Sequence, residues 1–569
     1  MKRRPVTPTR PISLKSALFV SVLMSCLISF RSVSWSQSGD RDQTPPPQLT
    51  AREWEEDIDS LVFRIPRYHG NEFHAVSRPE FEQAVHTLRS NIGTMNEDQI
   101  LVGMARLVGM IQDGHNFFDI SRGTDRYSCY PLRVGWYPDG VYIEQAAPNA
   151  AALAGGRIIA IDHHPIDSII TLVAPLLPHD PGNLPHGFTH LSQYLLDAHI
   201  LHGLGITHNA TEADIAVEKG GTTRDMVLHP SIFPRRSFYF PPPADWSDAR
   251  PAGIRRPLTW MHRDSTFWLT YLPDQRTLYV QINGVADGDH ETLADFSQRI
   301  ARSVQEDGAN RVILDLRWND GGNNYLLKPL IVALIRMPRI DERGHLIVVT
   351  GPTTLSAAQN LVNRLENLTE VLFVGQPTGE NVNFYGDTRG FDLPRSKCRV
   401  ALANLWWQDK DPRDKRTATF PEIALEATFK DFSEGRDPAV DYILSHETIP
   451  TIEEILTDAL ARRGYDGAAG AYRTYRKDPA HRYLQDAIVE GKVNNLGYVF
   501  IAQKRLEDAI AVLKMNTEEF PTSFNTWDSL GEAYADAGRK ADAIAAYKKS
   551  LELNPTSRSG LDALKKLGQ

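Results

Sequence analysis

Apolar residues recur at three- and four-residue steps between Ala51 and His115, first in Trp54, Ile58, Leu61 and Val62, then in Phe81, Val85 and Leu88. That spacing lines one stripe of a helix and predicts a small helical domain. Its last helix, Ile100–Ile111, runs into Asp113-Gly114-His115, which places a histidine just beyond a helix end. From Tyr130 to about Asp167 the period shortens to two. Leu132, Val134 and Trp136 alternate, Pro138-Asp139-Gly140 marks a turn, and Val141-Tyr142-Ile143 continues as a strand. Ala146–Leu153 then predicts a short helix and Arg157–Ile161 another strand. Residues 170–265 are rich in Pro and His with weak periodicity, and predict a cap or lid.

From Thr277 the pattern changes again. Apolar strands at Leu278–Ile282, Val312–Leu316, Leu346–Thr350 and Val371–Val374 alternate with amphipathic helices at Thr292–Asp307, Tyr325–Arg336 and Ala357–Glu366. Strands that are apolar at every position must be buried on both faces, which argues for a mostly parallel sheet between helices.

The last part of the chain repeats itself. Residues 496–521 align on 530–555 at an offset of 34, matching Leu496 to Leu530, Gly497 to Gly531, Arg505 to Arg539, Ala509 to Ala543 and Pro521 to Pro555. Thirty-four residues is the tetratricopeptide period, a helix pair in which Gly and Ala allow close packing and Pro ends the unit. Ser557–Leu567 is expected to be the polar-faced capping helix.

Composition narrows the class. The 569 residues carry 62 Lys+Arg against 71 Asp+Glu, a net charge of −9, with 41% hydrophobic and 23% charged residues. This excludes a disordered or collagen-like chain, and the acidic balance without a long basic block argues against a nucleic-acid partner. The basic residues Lys2, Arg3, Arg4, Arg10 and Lys15, the apolar run Ala17–Phe30 and the small-x-small triplet Ser34-Trp35-Ser36 have the order of a secretory signal over 1–36, followed by a linker at 37–50. The protein is therefore expected to be exported, periplasmic or secreted; Leu23-Met24-Ser25-Cys26 is the feature that would instead anchor it as a lipoprotein. After cleavage only Cys129 and Cys398 remain, too few to staple a chain of this size.

Three loops carry candidate chemistry. Strand Leu346–Thr350 runs through Gly351-Pro352-Thr353-Thr354-Leu355-Ser356 into a helix beginning at Ala357. A serine there is either the helix N-cap or a nucleophile at the positive end of a helix dipole. Strand Val312–Leu316 ends in Arg317-Trp318-Asn319-Asp320-Gly321-Gly322, whose glycines either form an ordinary turn or let a backbone N–H approach a ligand. The third loop is Gly375-Gln376-Pro377-Thr378-Gly379-Glu380-Asn381. All three leave the carboxyl ends of successive strands, where open α/β sheets place their sites. The pairs His186/His190 and His199/His202 lie in the Pro/His-rich stretch without a metal-binding context, and neither metal nor cofactor is expected.

Together, Asp315-Leu316-Arg317-x-Asn319-x-Gly321-Gly322, Thr354-x-Ser356-Ala357-Ala358 and Gly375-x-x-Thr378-Gly379 resemble the tail-specific, or C-terminal processing, serine peptidase family over about 51–445. The resemblance implies a Clp-protease/crotonase-like α/β peptidase core at 271–445. It further implies an N-terminal helical domain at 51–125 and a degenerate PDZ-like module with its cap at 126–270. Linker helices at 446–485 and the repeats at 486–569 would follow. It implies Ser356 as nucleophile, with backbone N–H groups of Gly322 or Gly321 and of Ala357 as the oxyanion hole. The processing branch uses a lysine base, but no Lys lies between Ser356 and Lys397. The branch resembling the tricorn core protease and interphotoreceptor retinoid-binding protein takes a histidine from the helical domain, and His115 matches it; the bland role for His115 is a helix C-cap. Asp414 is the orienting acid expected from this comparison, with Glu380 behind it. Substrates would be proteins or peptides, with a further protein partner on the repeats. The alternative is a catalytically silent binding protein of the same fold, holding a hydrophobic ligand or peptide.

Overall fold

The computed structural model describes residues 47–183, 191–234 and 243–569; the expected signal segment, most of the linker, and His186 and His190 lie outside them. At the centre is a six-stranded sheet in the order Phe267–Leu272, Thr277–Ile282, Arg311–Asp315, Leu346–Thr350, Leu372–Gly375 and Ile423–Ala424. The first pair is antiparallel and the rest are parallel. Its middle strands are buried on both sides. Leu278, Val280, Val312, Leu314, Leu346 and Val348 pack against the helices Leu293–Glu306, Leu327–Ile335 and Ala357–Leu368. Alternate residues Tyr279, Ile313, Ile347, Val349 and Val374 face Ala439, Val440 and Ile443 of the helix Pro438–Ser445. The continuous apolar runs thus have the cause inferred from them, namely two covered faces.

The register aligns the strand ends: Asp315 lies beside Val349, and Thr350 beside Gly375. The loops after these three strands therefore open on one edge of the sheet.

The helices Ala51–Tyr68, Arg78–Asn91 and Glu97–Gly109 each begin in a capping box, formed by Thr50 with Glu53, Ser77 with Glu80, and Asn96 with Gln99. They share one hydrophobic core with a seven-stranded sheet that includes Leu132–Tyr137, Gly140–Ala146, Arg157–Ile161, Ala213–Lys219 and Thr222–Leu228. The short helix expected after Ala146 is a 3-10 helix, Pro148–Leu153, and the stretch read as a cap contributes the hairpin 213–228 to this sheet. Cys129 and Cys398 are free and buried.

A long hairpin, Asn383–Asp392 with Arg399–Gln408, went unread in the sequence. Phe117 and Phe118 pair with its second strand opposite Ala401 and Val400, and the Asn116 carboxamide oxygen accepts the Ala403 N–H at 2.9 Å. This three-stranded sheet draws the segment after His115 onto the segment after Glu380.

Ile452–Lys477, kinked at Gly464, shares a core with three helices of the repeats, Asp486–Ala502, Leu506–Glu519 and Phe524–Asp536, and Lys540–Leu553 follows them. Gly497 backs onto Leu513, and Gly531 onto Tyr547, at equivalent positions of successive repeats. The repeats are tied to the sheet through Glu422, which takes hydrogen bonds from Arg343 and from Lys492.

Candidate active site

The turn bearing Ser356 is held from two neighbouring loops. The Thr354 hydroxyl donates to Leu316 O at 2.9 Å and accepts the Gly351 N–H at 3.1 Å. Leu355 N–H donates to Asn319 O at 3.1 Å, and Gly379 N–H to Thr354 O at 3.2 Å. Gly379 can come this close only without a side chain, because a Cβ would stand 1.9 Å from Pro352 O. Ser356 itself has φ 55° and ψ −121°, a conformation that costs a non-glycine residue about 1–3 kcal/mol. Its side chain makes no capping bond to the helix that follows. The N-cap role weighed for Ser356 is therefore absent, and the strained turn presents a half-buried hydroxyl instead.

Gly321 and Gly322 have φ of 109° and 131°. A Cβ on Gly321 would lie 2.5 Å from Ser356 Cβ, so the glycine loop presses directly on the serine. The Gly321 N–H donates to the Asn319 side chain at 3.0 Å, and Gly321 O accepts from Val285 N at 2.7 Å. Of the two glycines, Gly322 is the one whose N–H donates to no described residue, as is Ala357 N–H in the first position of its helix. The charged residues of the same motif have a different place. Arg317 bridges Asp315 and Asp437 at 2.6 and 2.7 Å, a buried ion pair that fixes the loop's base.

His115 stands beyond the helix Glu97–Gly109, its ring stacked on Phe384 at 5.8 Å with 5° between the planes. It is not a C-cap. Its Nδ1 lies 2.9 Å from Glu380 Oε1, and Glu380 Oε2 accepts the Ser356 backbone N–H at 2.5 Å. One buried carboxylate thus joins the histidine to the backbone of the serine. Burial disfavours charge on His115, but Glu380 foremost, with Asp180 and Asp113, outweighs it and pushes the imidazole up to about 9.

Asp414, the acid expected from the sequence, is paired with an arginine instead of with His115. Its carboxylate takes Arg416 Nε at 3.0 Å and Nη2 at 2.8 Å, and Arg416 reaches on to Glu366. An arginine two residues along neutralises Asp414, whereas Glu380 is folded inward to His115. Asp180, missed in sequence reading, also belongs to this neighbourhood. Its Oδ1 accepts Gly114 N–H and its Oδ2 accepts Asn381 N–H, both at 2.9 Å.

Behind them, His69 Nε2 lies 2.5 Å and His74 Nε2 3.1 Å from the two oxygens of Asp113. Such a group has the composition of a metal site. However, His69 Nδ1 accepts the Asn71 N–H at 3.0 Å, so Nε2 carries the ring's proton and donates it to Asp113. A metal would need that nitrogen deprotonated while its partner still faces a donor, so the trio fits a hydrogen-bonded support better than a ligand set. His199 and His202 both pair with Asp98, at 2.9 and 2.6 Å. A cavity of about 150 Å³ beside the site is lined by His74, Asp113, Asp180, Tyr385, Trp406 and Asp414, among others.

The tetratricopeptide repeat family model matches residues 524–557. No curated protein matches the chain in sequence. Among solved structures, mature CPAF in complex with lactacystin is similar at 12% identity and a TM-score of 0.50, over 70% of this chain and 98% of that one. Mature CPAF alone matches at 12% identity and a TM-score of 0.48, over 73% and 99%. The photosystem II D1 C-terminal processing protease matches at 15% identity and a TM-score of 0.31, over 69% and 99%. The chain thus has the mixed α/β fold of mature CPAF, followed by helical tetratricopeptide repeats.

Proposed function

We propose that this protein is a serine endopeptidase that cleaves protein or peptide substrates through an acyl-enzyme. The observation that carries the reading is Glu380, whose two oxygens engage His115 Nδ1 and the Ser356 N–H. Ser356 Oγ attacks the scissile carbonyl carbon, and His115 Nε2 removes the hydroxyl proton. Glu380 holds the ring with Nδ1–H toward itself and stabilises the imidazolium that forms. The oxygen of the tetrahedral intermediate is received by the N–H groups of Gly322 and Ala357. The imidazolium then protonates the leaving amine, and water, deprotonated by the same ring, releases the acid product. A serine-reactive phosphonate tests this: it is expected to label the wild-type protein on Ser356 and to leave Ser356→Ala unlabelled. Labelling elsewhere, or none at all, would overturn it.

Export belongs to the same proposal and rests on the pattern of residues 1–36. Among the described residues no helix is long and apolar enough to cross a membrane. N-terminal sequencing of the protein from its native host should begin near Gln37. The repeats are proposed to hold a protein partner or the substrate, in keeping with what stacked helix pairs of this kind offer.

A further inference from the structure

Asp180 comes from the stretch with the weakest sequence pattern, yet each of its oxygens accepts a backbone N–H next to a residue of the proposed triad. Gly114 adjoins His115, and Asn381 adjoins Glu380. The side chain is buried, as is that of Glu380. A Cβ placed on Gly114 would lie 3.6 Å from both Asp180 Oδ1 and Glu380 Oε1, so the two carboxyl groups flank the same point of the backbone. The neighbouring Asn183 is tied in as well, donating to Thr378 O at 3.4 Å and to Thr417 O. The segment 180–183 is therefore laced onto the loop that carries Glu380.

We propose that Asp180 is a positioning residue for the reaction, a clamp that fixes the spacing between the His115 and Glu380 loops and, once ionised, places a second negative charge beside the imidazole. The inference rests on the triad reading above. Two backbone donors on one carboxylate set the loop separation within hydrogen-bond tolerance, which a catalytic pair needs. The ionisable groups around His115 are Glu380, Asp180 and Asp113, all acidic. The adjoining cavity adds His74, Tyr385, Asp414, Lys415 and Arg416. Burial, and then Glu380, hold the Asp180 carboxyl well above the usual carboxylate range, against the pull of its two N–H donors. Wherever Asp180 is ionised it favours the protonated imidazole, so removing its charge must lower the pH at which His115 gives up its proton.

The test uses the full chain with Asp180→Asn and Asp180→Glu, each also made in the Ser356→Ala background. Imidazole titration of His115 is followed there by NMR without turnover. In Asp180→Asn the midpoint of His115 is expected to move to lower pH. With Ser356 present, the acid limb of kcat/KM should follow it, and kcat should fall roughly 10- to 100-fold with KM little changed. Asp180→Glu keeps the charge but not the reach, so the midpoint should stay near wild type while kcat still falls. If circular dichroism shows Asp180→Asn unfolded, Asp180→Glu carries the test alone. An undiminished kcat in folded Asp180→Asn or Asp180→Glu would overturn the clamp, and an unmoved midpoint in folded Asp180→Asn would overturn the charge proposed for it. Should no variant or wild type hydrolyse any peptide, the peptidase reading fails, while the His115 titration still decides whether Asp180 acts on the imidazole.

Discussion

Ser356 and the N–H group of Ala357 sit on one strand, one turn and one helix, Leu346–Thr350 through Ala357–Leu368, whose residues are neighbours in sequence. His115, Glu380 and Asp180 reach the same place from three separate segments, the first two drawn together by the sheet of Phe117–Phe118 with the hairpin 383–408 and the third by its bonds to Gly114 and Asn381 N–H. The half that carries the proposed nucleophile is built on strain and close approach: a serine at positive φ, with glycines where any Cβ would collide. The half that carries the proposed base buries three carboxyl groups around one imidazole. The first half should accordingly fail in chemistry when altered, and the second should also fail in its response to pH.

The largest expected effect is at Ser356. Ser356→Ala should lower kcat by roughly 10⁴- to 10⁶-fold, in the range seen when a nucleophile is removed. The melting temperature should hardly move, since the side chain caps nothing. Activity near wild type in that variant would dissolve the distinction between the halves.

Next comes the acid. Glu380→Gln leaves the shape but misorients the imidazole, and should cost roughly 10⁴-fold in kcat. Asp414→Asn, which loosens an ion pair with Arg416, should cost less than about tenfold in kcat/KM, under ~1.4 kcal/mol of barrier. Comparable losses from the two substitutions would return Asp414 to the site.

The pH dependence is a smaller but sharper signature. A base pushed up to about 9 must lose its proton before it can act, so kcat/KM should keep rising with pH as it passes through that value. Stability should run the other way. The folded value lies above the unfolded value of about 6.5, so the His115–Glu380 pairing stabilises fully below 6.5, and its contribution is lost as pH rises through 9. A rate plateau already reached by pH 7 would place the base elsewhere.

The smallest effects contrast a packed glycine with an open one in the C-terminal helices. Gly531→Ala drives a methyl to 3.0 Å from the Tyr547 ring and should destabilise by about 1–3 kcal/mol, less what helix propensity returns. Gly470→Ala meets nothing within 4 Å and should stabilise by about 0.5–1 kcal/mol. Thermal melts of the two variants read the difference directly.

The central strands and the repeats were legible because their signals are local: double-faced burial leaves unbroken apolar runs, and a 34-residue period repeats its own packing glycines. The turn of Ser356 was legible for the same reason, and so was the glycine pair, although the sequence left open which N–H remained uncommitted. That depended on the Asn319 side chain, which takes the Gly321 N–H and leaves Gly322. The hairpin 383–408 escaped notice because its burial alternates irregularly, with four exposed positions in succession from Asp387 to Gly390.

Local order alone thus determined the strands, the helices, the repeat array and a serine on a tight strand-to-helix turn, because hydrogen-bonding periodicity and the conformational limits of a turn act between near neighbours. The choice between Glu380 and Asp414, and the entry of Asp180, belonged to tertiary structure. Both candidate acids follow the third loop, and spacing does not tell which one turns inward. That was decided by the charges each acid meets after folding: Arg416 beside Asp414 on the outside, His115 beside Glu380 in the interior. An electrostatic partnership is set by distance in space and by the exclusion of water, neither of which is written at any single position of the chain.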